Sequence, residues 1–119
     1  MNKIIVKQFD ELTTKELYEI LRARFEVFVI EQKCVYLDID GVDYHSLHIF
    51  CEENGKVVAY LRAFEKEKDV IQMGHVLTTK RGLGLGARLL KYSIEEIDKR
   101  LEPKQIYIQP QTHAIGFYE

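Results

Sequence analysis

Long hydrophobic runs are absent from this sequence. Hydrophobic residues make up 46% of its 119 residues, but no apolar run approaches the roughly 18 residues that a membrane-spanning helix needs. The start, MNKIIVKQFDEL, has only three consecutive apolar residues, too few for a signal peptide. We therefore expect a single soluble, cytoplasmic domain over residues 1–119, with no membrane partner.

Cysteine and net charge are also scarce. The two cysteines, Cys34 and Cys51, lack metal-site spacing and are too few for a disulfide framework, so we expect ordinary thiols and no metal. Both features fit a reducing cytoplasm. The net charge of −2 argues against nonspecific nucleic-acid binding.

The charge that is present divides unevenly along the chain. Residues 26–53 contain one basic and seven acidic residues, whereas the rest of the chain contains sixteen basic and twelve acidic ones. This asymmetry suits a cationic ligand near the acidic segment and an anionic ligand near the basic remainder. Solvated faces and turns would give the same count, so charge alone leaves both interpretations open. The acidic residues are Glu26, Glu31, Asp38, Asp40, Asp43, Glu52 and Glu53.

The first part of the chain predicts a strand, a helical segment and a loop. KIIVKQF at 3–9 is rich in β-branched residues. Thr13 and Glu16 have the spacing of a capping box, and helical periodicity then continues to about Gln32. Residues 34–46 have no sustained period and predict a loop. The apolar helical positions are Leu17, Ile20, Leu21, Phe25 and Phe28.

The second part predicts a hairpin, a strand and a long helix. Two β-rich runs in 47–65 flank Asn54 and Gly55, a strong hairpin signal. Residues 69–79 continue as another strand, and the helix that follows ends before Pro103. Its apolar face is expected to contain Leu89, Leu90, Ile94, Ile97 and Leu101.

The remaining segments complete an α+β fold. KQIYIQP at 104–110 predicts a strand, and THAIGFYE begins a last helix. This order of elements predicts a mostly antiparallel sheet with one parallel crossover.

Three glycines stand at the entrance to the long helix. In KRGLGLGARLL, residues 80–90, Gly82, Gly84 and Gly86 alternate ahead of an apolar run, although a glycine costs a helix about 1 kcal/mol relative to alanine. A strand, a glycine-rich turn and a helix together build an anion site. The amides of the first helical turn lack partners, and the helix dipole favours negative charge.

Three nucleotide-binding motifs are compared with this turn. A P-loop needs Gly-Lys-Ser/Thr, but Ala87 and Arg88 follow the last glycine. A dinucleotide fingerprint needs Gly-x-Gly-x-x-Gly, which the spacing here does not give. The third motif, Arg-x-x-Gly-x-Gly, cradles the pyrophosphate of coenzyme A and is matched by Arg81, Gly84 and Gly86.

With this turn, the preceding strand and HAIGFYE one strand later, the chain resembles the GNAT superfamily of acetyl-CoA-dependent N-acyltransferases. RARFEVFVIEQKCVYLDIDGVDYHSLHIF, residues 22–50, is similar to the long signature of the ElaA-like branch, and MGHVLTTKRGLGLG to its coenzyme loop. The resemblance covers nearly the whole chain. It implies a three-layer α/β/α fold whose mixed, mostly antiparallel sheet has a parallel pair splayed around the coenzyme.

The resemblance also implies roles for particular residues. Backbone groups of Val76, Leu77 and Thr78 would pair with the pantetheine arm like an added strand, and a loop would hold the pyrophosphate mainly through amides. Tyr118 would act as the general acid toward the departing thiolate, since a phenol has an ordinary pKa of about 10. The loop residues are Arg81, Gly82, Leu83, Gly84, Leu85, Gly86 and Ala87.

A base is also needed, because the amine must be neutral before it attacks the thioester. His75 lies on the strand before the coenzyme loop, near the expected point of attack. Glu31 closes the acidic helix, where the family forms its acceptor site. His48 and His113 are further candidates, although a lone histidine is more often a hydrogen-bonded structural residue.

Two other patterns favour structural interpretations. DIDGVD lacks the spacing of an EF-hand loop, including its distal Glu, and predicts a turn with acidic side chains rather than a calcium site. No basic residues interleave with four nearby aromatic residues, so we expect core and pocket lining rather than a nucleic-acid platform. These residues are Phe25, Phe28, Tyr36 and Tyr44.

The expected activity is direct transfer of an acetyl group from acetyl-CoA to a primary amine in a ternary complex. Neither cysteine lies near Tyr118 or the glycine loop in sequence, which favours direct transfer over a covalent intermediate. The acidic segment predicts a cationic acceptor, such as a polyamine, an amino-sugar or a peptide lysine. The alternative is a noncatalytic coenzyme A or nucleotide sensor, which would keep the same phosphate site.

The C-terminal end is shorter than the family pattern. Family members continue past Phe-Tyr-Glu with two further strands, whereas this sequence ends at Glu119. Without those strands, the far side of strand 104–110 would be an unpaired edge that recruits another chain. We therefore expect coenzyme binding to exceed turnover, and a homodimer through that edge.

Overall fold

A computed structural model describes residues 3–31, 40–79 and 84–108, without the side chains of residues 29–31. Two short 3₁₀ turns, Phe9–Glu11 and Val42–His45, accompany the main elements, and a π-helix, Phe25–Glu31, follows the first helix. The main elements are β1 (Ile4–Gln8), α1 (Thr14–Arg24), β2 (Leu47–Glu53), β3 (Lys56–Glu67), β4 (Val70–Thr78), α2 (Leu85–Leu101) and β5 (Gln105–Ile108).

The five strands form one mixed sheet in the order β1-β2-β3-β4-β5. The first three pairings are antiparallel, and β4 pairs with β5 in parallel, with α2 as the crossover between them. This confirms the predicted α+β architecture. Within the described part of the chain, β1 and β5 are the sheet edges, and self-association through β5 stays a prediction.

The helix α1 begins at the predicted capping box. The Thr13 Oγ1 accepts a hydrogen bond from the Glu16 amide at 3.0 Å, and the Glu16 carboxylate accepts one from the Thr13 amide at 2.9 Å. Phe25 was expected on the core face, but it is 53% exposed. The expectation assumed a period of 3.6 residues, whereas Phe25 begins a π-helix, in which the turn is wider.

The two helices cover opposite faces of the sheet and give three layers. Because side chains alternate along a strand, β1 to β4 contribute to both cores, whereas β5 contributes Ile106 and Ile108 to the α2 side. On the α1 side the buried residues include Ile20, Ala23, Phe50, Tyr60 and Leu77. On the α2 side they include Ile49, Leu61, Met73, Leu85, Leu89 and Ile97.

The buried face of α2 differs from the one predicted. Ile94 is 37% exposed and Leu101 is 51% exposed. The buried positions recur every four residues at Leu89, Ser93 and Ile97. Ile94 is one residue past Ser93 and therefore lies outside this buried stripe. The buried Ser93 hydroxyl donates to the Leu89 carbonyl oxygen at 2.6 Å, which satisfies it within the helix.

The predicted hairpin is confirmed between β2 and β3. Asn54 and Gly55 have φ angles of 54° and 78°, the left-handed pair that a type I′ turn requires. The predicted final helix lies outside the described residues, as does Tyr36. Among the helices described, none is long and apolar enough to cross a membrane.

Candidate acyl-transfer site

The strand β4 contains a bulge at the predicted base. Tyr60 pairs with Leu77 and Arg62 with Gly74, so β4 contains one more residue than β3 between these pairs. His75 lies in this bulge with a φ of 53°. A left-handed backbone at a non-glycine residue stores roughly 1–3 kcal/mol of strain. The surrounding sheet therefore holds His75 in an unusual conformation.

The imidazole of His75 is buried on the α1 side of the sheet. Its ring meets the Phe28 ring edge to face, with the centroids 5.8 Å apart and the planes at 88°. Phe28 itself is buried and extends from the π-helix. The structure therefore brings the predicted base and the helix containing Glu31 to the same face. The Glu31 side chain lies outside the described part of the structure.

Beyond the bulge, β4 continues past its described partner. The parallel pairing with β5 runs from Val70 to Met73 within the described residues, whereas β4 extends to Thr78. Val76 is buried in the α2-side core and Leu77 in the α1-side core. A ligand beside this stretch would therefore meet its backbone rather than these two side chains.

The N-terminus of α2 lies at the end of this strand. Gly84 adopts a φ of 67°, and among the described residues that are not its neighbours in the chain or the adjacent helix backbone, no heavy atom lies within 4 Å of the position that a Cβ would take. The backbone amide of Arg88 donates the first intrahelical hydrogen bond, to the Gly84 carbonyl oxygen at 3.1 Å. The preceding amides, those of Leu85, Gly86 and Ala87, have no intrahelical acceptor. The first turn contains no acidic residue, so the helix end favours an anion.

Several predicted residues lie outside the described residues. In the loop these are Arg81, Gly82 and Leu83, and further along the chain they are His113 and Tyr118. Their roles stay predictions. Among the residues described, no group of three or more His, Cys, Asp or Glu side chains could hold a metal ion.

A buried charge network was missed by the sequence analysis. Arg24, fully buried on α1, donates from Nη1 to Asp43 Oδ1 at 2.8 Å. Arg62, on β3, donates from Nη1 to the same oxygen at 3.0 Å. It also donates from Nη1 and Nη2 to Asp40 Oδ1 and Oδ2 at 3.0 and 2.7 Å. Two cations and two anions thus join α1, the 40–43 turn and the sheet.

A sequence signal for this network was available. Arg62 interrupts the apolar run VVAYLRAF, and Arg24 ends the amphipathic helix just before FEVFVIE. An arginine in such surroundings is rarely buried without an acidic partner. Two acids of DIDGVD, Asp40 and Asp43, are those partners.

Because of this network, residues 26–53 have less unpaired negative charge than their sequence suggests. Hydrogen bonds from Arg62 hold the pKa of Asp40 well below its ordinary value, so that Asp40 is ionised and paired. Asp43 is buried between Arg24 and Arg62. Two of the seven acids in the segment are therefore paired with arginines distant in sequence. The described part of DIDGVD, residues 40–43, leads into the 3₁₀ helix Val42–His45, and its first two residues lie outside the described part of the structure.

His48 is a structural residue rather than a base, which corrects its candidacy. It is fully buried, and its Nε2 lies 3.0 Å from the Asp43 carbonyl oxygen. A carbonyl only accepts, so Nε2 is protonated and donates. Nδ1 therefore accepts from the Tyr60 hydroxyl at 2.7 Å. Burial lowers the pKa of His48 and raises that of Tyr60, so both groups are neutral.

The predicted aromatic residues divide between core and surface. Phe28 is in the core, whereas Tyr44 is 67% exposed. Tyr44 packs edge to face on Phe9, with ring centroids 4.9 Å apart, and lines a cavity of about 700 Å³. This cavity includes Ile71, at the end of β4 remote from Thr78. The cavity is therefore separate from the bulge.

Comparison with known proteins identifies the family. Residues 9–119 match the family described as acetyltransferase (GNAT) domain. The protein ElaA of Escherichia coli K12 is 34% identical over 115 residues, which cover 92% of this chain and 75% of ElaA. A UPF0039 protein of Schizosaccharomyces pombe is 32% identical over 125 residues, covering 97% of this chain and 83% of the relative.

Solved structures agree with the sequence matches. An acyl-CoA N-acyltransferase from Pseudomonas aeruginosa superposes with a TM-score of 0.87 at 32% identity, covering 99% of this chain and 85% of that one. The crystal structure of Escherichia coli ElaA also gives 0.87 at 32% identity, covering 98% and 83%. With its mixed five-stranded sheet and α2 crossover, this chain belongs to the GNAT family of N-acetyltransferases and is related to ElaA.

Proposed function

We propose that this enzyme transfers an acetyl group from acetyl-CoA to a primary amine in a ternary complex. One observation carries the proposal: β4 runs past its described pairing with β5 and leads to a helix N-terminus, where the described residues leave open space at Gly84. A backbone edge followed by free amides suits an extended arm that ends in a pyrophosphate.

In this proposal, the backbone of Val76, Leu77 and Thr78 pairs with the pantetheine arm. The amides from Leu85 to Ala87, together with the loop that precedes them, bind the pyrophosphate. The described residues support this order because the strand and the helix N-terminus are separated by only a short loop. The thioester would then lie toward the bulge, at the other end of the arm.

The reaction itself needs one base and one acid. We propose that His75 takes a proton from the acceptor amine as its nitrogen attacks the thioester carbonyl. The C–N bond forms, the C–S bond breaks, and the thiolate of coenzyme A takes a proton from Tyr118. Glu31 is the second candidate for contact with the acceptor, since it ends the π-helix that packs over His75 through Phe28.

The acceptor is proposed to be a cationic amine, on a small molecule or a peptide. The neutralised carboxylates of Asp40 and Asp43 weaken the argument from total charge. Glu26, which is exposed on the π-helix, is still a source of negative potential on this side of the sheet. A panel of polyamines, amino-sugars and lysine peptides, with an acidic amine as control, would identify the class. Preference for the acidic amine would contradict the proposal.

The decisive experiment is Tyr118→Phe with Tyr92→Phe as its matched control. Tyr92 lies on the partly exposed side of α2. We expect Tyr118→Phe to lower kcat by about 100-fold, the lower range for a lost general acid, with little change in the Kd for acetyl-CoA. Tyr92→Phe should retain both values. Calorimetry would measure binding, and thiol release would measure turnover.

The outcomes separate the alternatives. A folded wild-type protein that shows no affinity at millimolar acetyl-CoA would exclude the proposed binding site. Binding without turnover of any acceptor in the panel would instead support a noncatalytic sensor. Full activity in Tyr118→Phe would remove Tyr118 from the mechanism.

A further inference from the structure

A second cavity lies at the end of the sheet remote from the proposed coenzyme site. Its volume of about 700 Å³ is in the range of small-molecule pockets. The floor is apolar and belongs to the α2 side of the sheet, where Leu47 and Ala63 are paired neighbours and Ile71 lies on β4. Leu101 and Pro103 line it from the end of α2 and just beyond. The cavity therefore suits the apolar body of a ligand.

Fixed backbone contacts and an aromatic pair frame this cavity. The Asp69 carbonyl oxygen accepts hydrogen bonds from the Lys104 and Gln105 amides at 2.9 and 3.2 Å. These bonds tie the turn between β3 and β4 to the segment that follows α2. Tyr44 lines the cavity with an exposed ring, which Phe9 supports edge to face with the centroids 4.9 Å apart. The walls are therefore held by the protein itself, and one aromatic ring is accessible to a ligand.

The charge around the cavity is negative. Three carboxylates line it, those of Asp10, Glu65 and Asp69, against the single guanidinium of Arg100. Arg100 is already paired within α2 at 2.8 Å, and Asp69 lies 3.9 Å from the exposed Lys104 ammonium. Asp10 and Glu65 form no ion pair with any residue that the structure describes. The last carbonyl groups of α2 add partial negative charge at the same end.

We propose that this cavity is a second ligand site, for an organic cation with an apolar or aromatic body. Glu65 pairs in register with Ile71, so that a carboxylate stands beside the apolar floor on the same face of the sheet. The exposed ring of Tyr44 attracts a cation through its π face. An anion would meet three carboxylates instead. The site is independent of acyl transfer, because it lies at the end of β4 opposite Thr78.

The test uses benzyltrimethylammonium as the probe, because its quaternary nitrogen has no N–H and cannot accept an acetyl group. NMR titration of the full chain would be run at about pH 8, where histidine side chains, including His45 in the cavity wall, are neutral. We expect saturable shifts of amides in 44–47 and 63–65, and none in 75–78 or 85–87. Acetyl-CoA should not displace the probe. Tetramethylammonium, which lacks the ring, and phenylacetate, which has the opposite charge, should bind more weakly.

Two pairs of variants test the charge and the aromatic wall. Glu65→Gln should raise the Kd of the probe about threefold, the scale of one partly exposed charge pair. Glu95→Gln, at an exposed acid on α2 outside the cavity, should leave it unchanged. Tyr44→Ala should also raise the Kd, by loss of the cation–π contact, whereas Tyr18→Ala on exposed α1 surface should not. If Tyr44→Ala loosens its turn, Glu65→Gln still tests the site, because Glu65 is exposed.

Four results would overturn the inference. The first is the absence of saturable binding at millimolar probe, and the second is phenylacetate that binds as tightly as the probe. The third is an equal effect of the cavity variants and their controls. The fourth is displacement of the probe by acetyl-CoA with shifts in 75–78, which would assign the binding to the acyl-transfer site. Sedimentation would be measured alongside, and a dimer that Tyr44→Ala disperses would count equally against the proposal, because a second copy would then cover the cavity.

Discussion

Arg24 and Arg62 show how single residues organise the α1 side of this sheet. Burying an unpaired charge costs several kcal/mol, and removing one partner of a buried pair typically costs about 3–5 kcal/mol. Both guanidinium groups donate to one Asp43 oxygen. That shared contact fixes the 40–43 turn against α1 and β3. The pairing explains why acids and arginines distant in sequence are needed together.

His48 makes stability depend on pH in a predictable window. Burial lowers its pKa below the ordinary value of 6.5. Between the folded and unfolded pKa values the unfolded chain binds the extra proton, so the free energy of unfolding falls as pH decreases. The contribution of His48 is fully present above pH 6.5 and is lost as pH falls below it.

We therefore expect His48→Gln to flatten the loss of stability between about pH 6.5 and 5, the range just below the ordinary histidine pKa. Glutamine cannot take up the proton, although its amide can both donate and accept. Urea unfolding at a series of pH values would measure the effect in both proteins. The low pKa of Asp40 matters only at more acidic pH, because its ordinary value is 3.8. Parallel curves for the two proteins would contradict this prediction.

At the scale of elements, β4 and α2 together create the candidate site. The bulge turns His75 toward the π-helix, and the following residues anchor the strand in both cores. Gly84 then forms the N-cap of α2 with a left-handed backbone. A glycine is therefore favoured at position 84 by its backbone conformation as well as by the proposed binding role.

Gly84→Ala should lower the free energy of unfolding by about 1–2 kcal/mol, the cost of a left-handed backbone at an L-residue. No clash contributes among the described residues, since the space at the Cβ position is open. Gly84→Asn is the control and should cost less, because asparagine tolerates this conformation. Chemical denaturation measures both. Equal stability of the alanine variant and the wild type would contradict the assigned backbone strain.

At the scale of the whole molecule, stability is concentrated in the middle of the sheet. The strand β3 has neighbours on both sides, and its residues from Val57 to Ala63 are all buried. By contrast, β5 is four residues long, alternates exposed and half-buried positions, and pairs only with β4 among the described strands. The two helices cover the central strands from opposite faces.

Hydrogen exchange should therefore be slowest in β3. Buried, doubly paired amides exchange only through global opening, whereas peripheral segments open locally. We expect the protection of peptides from 57–63 to match the free energy of global unfolding measured in urea, and that of 105–108 to be lower. Mass spectrometry of native protein would measure both. Equal protection of the two segments would contradict this distribution.

The sequence by itself determined the elements whose causes are local. The capping box of Thr13 and Glu16, the Asn54-Gly55 turn and the Gly-rich start of α2 each depend on residues a few positions apart. The alternation and length of the apolar runs then predicted a mixed sheet with one parallel crossover. The family likeness, confirmed by the comparisons, followed from motifs with fixed spacing.

The tertiary structure decided what depends on residues far apart in the chain. It pairs Asp40 and Asp43 with Arg24 and Arg62, which a count of local charge treats as separate. It buries His48, and it leaves Phe25 and Ile94 more exposed than a 3.6-residue period predicts. Burial and charge pairing arise between elements. The paired residues are too far apart to appear in one short stretch of sequence. Only the packing of the elements shows which residues pair.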